Sequence, residues 1–246
     1  MLELLSGDSV KILKSMEDQS VDLICTDPPY GIKYKEWDDI DFVSFTDVWL
    51  KESFRVLKDT GTLWSFMGYE NIFKFVPLLD RYGLNHLENW VVWARQKGRG
   101  SSKHLKSTRE DIFHVTKSDT YTWNNLKMLR EVVVPYVKDG KPRGWFINNE
   151  GNRVRWTGLG NVWVYTSPFW NSKSDLLVHP SQKPVDLMER LIRLSSNEGD
   201  VVLDPFMGSG STGVAALRSN RRFIGIERDS HYFSVAYSRI EEESCK

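Results

Sequence analysis

Asp27-Pro28-Pro29-Tyr30 is where residue types and spacing offer the most specific chemistry. Two consecutive prolines fix the backbone and remove two N–H donors. The Asp27 carboxylate and the Pro28 carbonyl are left as acceptors beside an aromatic ring. That array suits an amino group that must be oriented while its lone pair attacks a methyl cation equivalent. Tyr30 offers a face on which a planar ring can stack. A turn that merely ends a strand is the plainer reading, because proline pairs mark turns.

A second segment is Asp204-Pro205-Phe206-Met207-Gly208-Ser209-Gly210-Ser211-Thr212-Gly213. Glycines let the backbone turn tightly against a ligand, and a helix start offers free N–H groups. Glu227 follows at the spacing where an acidic side chain accepts hydrogen bonds from ribose hydroxyls. Alone, this Gly-x-Gly-x-x-Gly pattern serves a nicotinamide or flavin dinucleotide equally well. A tight turn without ligand is also open. Charge supplies a third feature: Arg95, Lys97, Arg99, Lys103, Lys106 and Arg109 form a basic stripe on a chain of zero net charge. It reads either as a binding face or as a solvated loop. Gly98 and Gly100 predict that this loop is mobile and orders on binding.

These features need elements to hold them. Residues 21–26 form an apolar, β-type run ending at the Pro-Pro turn, as expected of a buried strand. A helical pattern covers 43–58, a strand 62–67 and a second helix 69–81. Strands are predicted at 89–94 and 112–116. From 118 to 178 the texture turns irregular or β-rich, with Trp123, Trp145, Trp156, Trp163 and Trp170. A helix over 184–195 follows, with Pro184 suited to its first turn. Next come a strand at 201–203, a helix at 212–218 and a strand at 223–226 that ends at Glu227. Such alternation implies an α/β fold, a mostly parallel sheet with helices on both faces. Ligands in such folds sit at the carboxyl ends of strands, where both special turns fall.

Composition narrows the class. The two cysteines, Cys25 and Cys245, share no ligand spacing, so neither a disulfide framework nor a metal site is expected. No apolar run approaches the ~20 residues needed to cross a bilayer. The opening residues do not read as a signal peptide. The expected location is the cytoplasm, with no membrane partner.

With these residues in view, the sequence resembles the circularly permuted β group of DNA amino-methyltransferases, adenine-N6 or cytosine-N4 specific. Asp27-Pro28-Pro29-Tyr30 resembles their catalytic motif, and Asp204 to Thr212 their cofactor motif. His179-Pro180-Ser181-Gln182-Lys183-Pro184 resembles the segment preceding that motif, and Leu5-Ser6-Gly7-Asp8-Ser9 the family's opening. The resemblance covers 1–117 and 179–246, and it implies a Rossmann-like methyltransferase fold. The stretch between, 118–178, falls where the family puts a small inserted target-recognition region.

The resemblance also implies roles. S-adenosylmethionine would be the cofactor. Asp8 would contact its adenine and Glu227 its ribose. Asp204, Pro205, Phe206, Gly208, Ser209, Gly210, Ser211 and Thr212 would line its pocket. Ser181, Gln182, Lys183 and Pro184 would lie near its methionine portion. Asp27 and the Pro28 carbonyl would bind the target amine, with Pro29 setting the turn and Tyr30 stacking on a flipped base. Double-stranded DNA is the expected partner, its phosphates met by the basic stripe. Relatives of this group are often dimers. No metal is required, and the sequence names no restriction endonuclease partner.

Asp27, where cytosine-N4 enzymes more often carry serine, favours adenine. Cytosine C5 chemistry needs a Pro-Cys nucleophile, and neither cysteine follows proline. An RNA methyltransferase and a catalytically silent DNA-binding module are alternatives on the same fold. A dinucleotide-dependent oxidoreductase explains the glycine turn and Glu227 but not the Asp27 motif.

Overall fold

The computed structural model of the chain describes residues 2–32, 38–82, 86–133, 136–166 and 181–246, with side chains at all of these except 86, 96–101, 104 and 142. The first half supplies β1 (Leu2–Ser6), α1 (Ser9–Ser15), β2 (Val21–Thr26), α2 (Phe42–Val56), β3 (Leu57–Met67), α3 (Ile72–Asp80), β4 (His86–Ser101) and β5 (His104–Thr116). The middle holds short strands β6 (Lys127–Glu131), β7 (Val137–Lys138), β8 (Lys141–Pro142), β9 (Phe146–Ile147), β10 (Arg153–Gly158) and β11 (Val162–Tyr165). The last part adds α4 (Val185–Ser195), β12 (Val201–Asp204), α5 (Ser211–Arg218), β13 (Arg222–Glu227) and α6 (Ser230–Ser244).

The main sheet runs β1-β13-β12-β2-β3-β5-β4-β11, and only β5 is antiparallel to its neighbours. Alternation along β2 shows how the sheet is buried twice. Leu23 and Cys25 pack with Leu187, Leu191 and Ala215 of α4 and α5 on one face. Ile24 packs with Trp49, Phe75 and Leu78 of α2 and α3 on the other. Each face is covered by helices, as a parallel sheet requires. β2 and β12, far apart in sequence, lie side by side. Their carboxyl ends therefore place Asp27 and the glycine turn next to each other.

Two differences from the sequence-based expectation concern the middle of the chain. The basic stripe is not an open loop: β4 and β5 pair as far as Ser101 opposite His104, with irregular register beyond Ala94. Strand pairing satisfies backbone groups that a loop would leave to water. The side chains of Lys97 and Arg99 lie outside the described residues. Within the expected inserted region, β6, β10 and β9 form a separate three-stranded sheet, while β11 joins the main sheet beside β4. Trp163 and Trp123 pack with the main body, whereas Trp156 is exposed. Trp170 lies outside the described residues.

Candidate active site

Asp27 follows β2, and its turn is fixed from three sides. The buried Asp38 carboxylate accepts the backbone N–H groups of Tyr30 (2.7 Å), Gly31 (2.8 Å) and Ile32 (3.0 Å). The Asn71 amide donates to the Tyr30 carbonyl at 2.5 Å. Gly68, at the end of β3, lets the backbone approach the Tyr30 ring: a Cβ there would lie 3.2 Å from it. Neither Asp38 nor Asn71 stands out in the sequence. Pro28 is buried, and Asp27, Pro29 and Tyr30 are half-buried.

Both Asp27 oxygens are engaged. The Tyr30 hydroxyl donates to Oδ1 at 2.5 Å, and the Lys183 ammonium donates to Oδ2. Burial, then the charges of Asp27 and Glu110, push the Tyr30 phenol well above its ordinary value. Burial by itself would lower the Lys183 ammonium, but the facing carboxylates of Asp27 and Glu110 outweigh it and raise it. Lys183, which the resemblance puts near a cofactor's methionine portion, thus points its charge at the Asp27 carboxylate. Ser181 contributes its carbonyl to the same ammonium at 3.3 Å, and Gln182 and Pro184 are buried beside it. His179 and Pro180 lie outside the described residues.

The glycine turn leaves β12 at Asp204. Asp204 is buried and accepts the hydroxyls of Thr26 at 2.8 Å and Thr212 at 2.5 Å, and the Phe206 N–H at 3.1 Å. Burial raises its carboxyl to about 6, against the opposing pull of these hydrogen bonds. The Pro205 carbonyl accepts the Ser9 hydroxyl, which ties the turn to α1. Phe206 packs on Trp49 and Phe45, with ring centroids 5.6 and 5.7 Å away. Gly210 begins α5 at φ 82°, and a Cβ there would meet Ala236 of α6 at 3.0 Å, so glycine is required twice over. Gly208 also has positive φ, 53°.

Glu227 ends β13 and braces this turn. Its Oε2 accepts the Gly208 N–H at 2.9 Å, and its Oε1 the Asp229 N–H at 2.8 Å. Burial raises its carboxyl above the ordinary value. The carboxylate as a whole keeps acceptor capacity for an external donor. Asp8 is exposed and caps α1, accepting the Lys11 N–H at 2.9 Å. The Ser211 hydroxyl, at the first residue of α5, is buried with no hydrogen-bond partner among the described residues. Ser209 is buried too, and its carbonyl accepts from Arg239. Carboxylates for hydroxyls, a glycine-lined turn and an unsatisfied hydroxyl fit a nucleoside-bearing ligand.

The expected DNA contacts divide. Lys103, Lys106 and Arg109 are exposed. Arg95 is turned inward, bonding the Glu110 carboxylate at 2.8 Å and the Ser107 carbonyl at 3.1 Å. A guanidinium so engaged is not free for phosphate.

A three-layer, mostly parallel fold with the Asp27 carboxylate beside a glycine turn at the carboxyl ends of its strands defines a Rossmann-like architecture. A family model described as DNA methylase matches residues 21–238, and the chain belongs to that DNA methylase family. It is 35% identical to the type II methyltransferase M1.MboII of Moraxella bovis, covering 91% of this chain and 90% of the relative. It is 34% identical to the type II methyltransferase M.HpaI of Haemophilus parainfluenzae, covering 98% of this chain and 74% of the relative. Its fold matches the M1.HpyAVI–SAM complex with TM-score 0.67 at 24% identity, over 98% of this chain and 99% of that one. It also matches the cytosine-N4-specific PvuII DNA methyltransferase with TM-score 0.71 at 19% identity, over 98% and 89%.

Proposed function

We propose that this methyltransferase transfers a methyl group from S-adenosylmethionine to the exocyclic N6 amine of adenine in double-stranded DNA. The observation that carries the proposal is the placement of Asp27 at the end of β2, beside the glycine turn on β12, with Thr26 bonded to Asp204 between them. When bound, S-adenosylmethionine supplies a methyl group already activated on a sulfonium. The chain's own work is then positioning and electrostatics. Glu227 and Asp8 bind ribose and adenine, and the backbone from Asp204 to Thr212 shapes the pocket wall.

The target base leaves the duplex to reach Asp27. Asp27 and the Pro28 carbonyl accept the two amine hydrogens, which favours a pyramidal nitrogen whose lone pair is free to attack. The Tyr30 ring supports the base. As the nitrogen gains its methyl group it loses a proton, and Asp27 is the nearest acceptor. Asp27 at this position favours adenine, with cytosine N4 the alternative under the same chemistry.

The three-stranded sheet of the middle region supplies a DNA-facing surface. Arg155 of β10 lies directly opposite Arg130 of β6, and Arg153 shares their face two residues away. Like charges opposed across strands destabilise a sheet unless a partner compensates. No ion pair to these three is found among the described residues, and all three are exposed. Phosphates fit that surface, which supports reading 118–178 as the target-recognition region. A DNA substrate and the free cysteines Cys25 and Cys245 favour a reducing cytoplasmic location. Among the described residues no helix is long and apolar enough to cross a membrane.

Asp27→Asn tests the proposal. Methyl transfer to DNA should fall by at least about a hundredfold, the range for losing a group that acts in the transition state. Cofactor affinity by calorimetry should stay within about twofold of wild type. Undiminished transfer would remove Asp27 from the reaction.

A further inference from the structure

Lys183 is 7% exposed, yet two carboxylates face its ammonium: Asp27, which it hydrogen-bonds, and Glu110, whose Oε2 lies 3.4 Å away. That Glu110 oxygen is buried and has no hydrogen-bond partner among the described residues. The other Glu110 oxygen is held by Arg95 at 2.8 Å, and Arg95 is anchored in turn on the Ser107 carbonyl. Glu110 is therefore fixed in place with one empty acceptor aimed at Lys183. The Phe66 ring lies 5.0 Å from the ammonium and closes another side. The other charged or titratable groups around this cluster are Tyr30 on Asp27, Asp38 behind the Tyr30 turn, and Asp204 behind Thr26.

Buried ion pairs are poor stabilisers, so the pairing of Lys183 and Arg95 with Asp27 and Glu110 is weak evidence of a purely structural role. A buried Glu110 oxygen without a hydrogen bond among the described residues calls for a further reason. The reaction supplies one. With Lys183 on Asp27 Oδ2 and Tyr30 on Oδ1, each oxygen keeps one lone pair, and the arriving amine meets a carboxylate whose charge Lys183 already holds.

We propose that Glu110 is a positioning residue that gives the Lys183 ammonium a second seat, so that Lys183 moves its hydrogen bond from Asp27 Oδ2 to Glu110 Oε2 when the target amine arrives. The shift needs no proton transfer and keeps the ammonium paired throughout. It opens one Asp27 oxygen to the amine and keeps the positive charge close enough to balance the site. The inference rests on the methyl-transfer reading above.

A double-mutant cycle on the single-turnover methylation rate tests it, with wild type, Glu110→Gln, Lys183→Met and the double variant. Glu110→Gln should slow transfer about tenfold, within the range for coupled residues of one ion-pair network, with cofactor affinity unchanged. In the Lys183→Met background the same Glu110→Gln change should alter the rate by less than about twofold, because no ammonium remains to be seated. If Glu110→Gln does not fold, Glu110→Asp takes its place in the cycle: it keeps the charge on Arg95 but withdraws the oxygen from Lys183. Equal slowing with and without Lys183 would overturn the inference while leaving the methyltransferase reading intact. A wild-type chain that methylates no DNA would overturn both.

Discussion

The Thr26 hydroxyl donates to Asp204 Oδ1 at 2.8 Å, joining the Asp27 turn to the glycine turn across 178 residues of sequence. The bond is fully buried and its acceptor carries a carboxyl raised to about 6 by burial. Thr26→Val should remove a donor that this carboxylate depends on and keep the side chain's shape. A loss of about 1–3 kcal/mol in denaturant unfolding is expected, the usual worth of a buried hydrogen bond to a carboxyl group that keeps its other donors. Methyl transfer should slow as well, because the two turns lose their common anchor.

Asp38 should matter for rate and hardly at all for cofactor binding. It accepts three consecutive N–H groups of the Tyr30 turn. Asp38→Ala frees the backbone that aims Asp27. The turnover number is expected to drop about tenfold or more, the scale on which misplacement of a reacting group is felt. Cofactor affinity measured by calorimetry should hold.

The salt dependence of DNA binding separates the two basic surfaces. Replacing Arg130, Arg153 and Arg155 with Gln should reduce the slope of log affinity against log salt by about 0.9 for each phosphate that is no longer neutralised. Arg95→Gln should leave that slope unchanged, because its guanidinium is already committed to Glu110. A reduced slope in Arg95→Gln with none in the triple variant would reverse the assignment.

His114 sets an acid limit on stability. It is stacked between Trp64 and Trp123, with ring centroids 4.2 and 5.2 Å away, and its Nε2 is buried without a hydrogen-bond partner among the described residues. Burial lowers its imidazole to about 3. The unfolded chain takes up this proton near pH 6.5 and the folded chain only near 3, so stability is lost as pH falls between those values. His114→Phe should remove that part of the dependence. Between about pH 6.5 and 4.5 it should lose roughly 2 kcal/mol less than wild type in urea unfolding.

Much of the site is legible in the sequence because its parts are local. The Pro-Pro turn, the glycine turn and Glu227 each end a strand, and parallel sheets gather such ends. Asp38 and Asn71 are not legible, because accepting from or donating to a turn's backbone leaves no residue pattern. Glu110 escapes a sequence reading, and Arg95 is misassigned by it as a phosphate contact, for a different reason. Their roles depend on antiparallel register: Met67 pairs with Asp111 and Trp93 with Glu110, which sets Glu110 beside the end of β3 and within reach of Arg95. Register is set by long-range pairing, so a single sequence does not print it. Lys183 stands before α4, remote from Asp27 in sequence, and only the folded sheet brings their charges together.

The most direct measurement is nucleoside mass spectrometry after incubating the protein with isotope-labelled S-adenosylmethionine and unmethylated double-stranded DNA. Label in N6-methyldeoxyadenosine, lost in Asp27→Asn, is the expected result. Label in N4-methyldeoxycytidine alone would contradict the assignment of the target base, and no label in any nucleoside would contradict the proposed reaction.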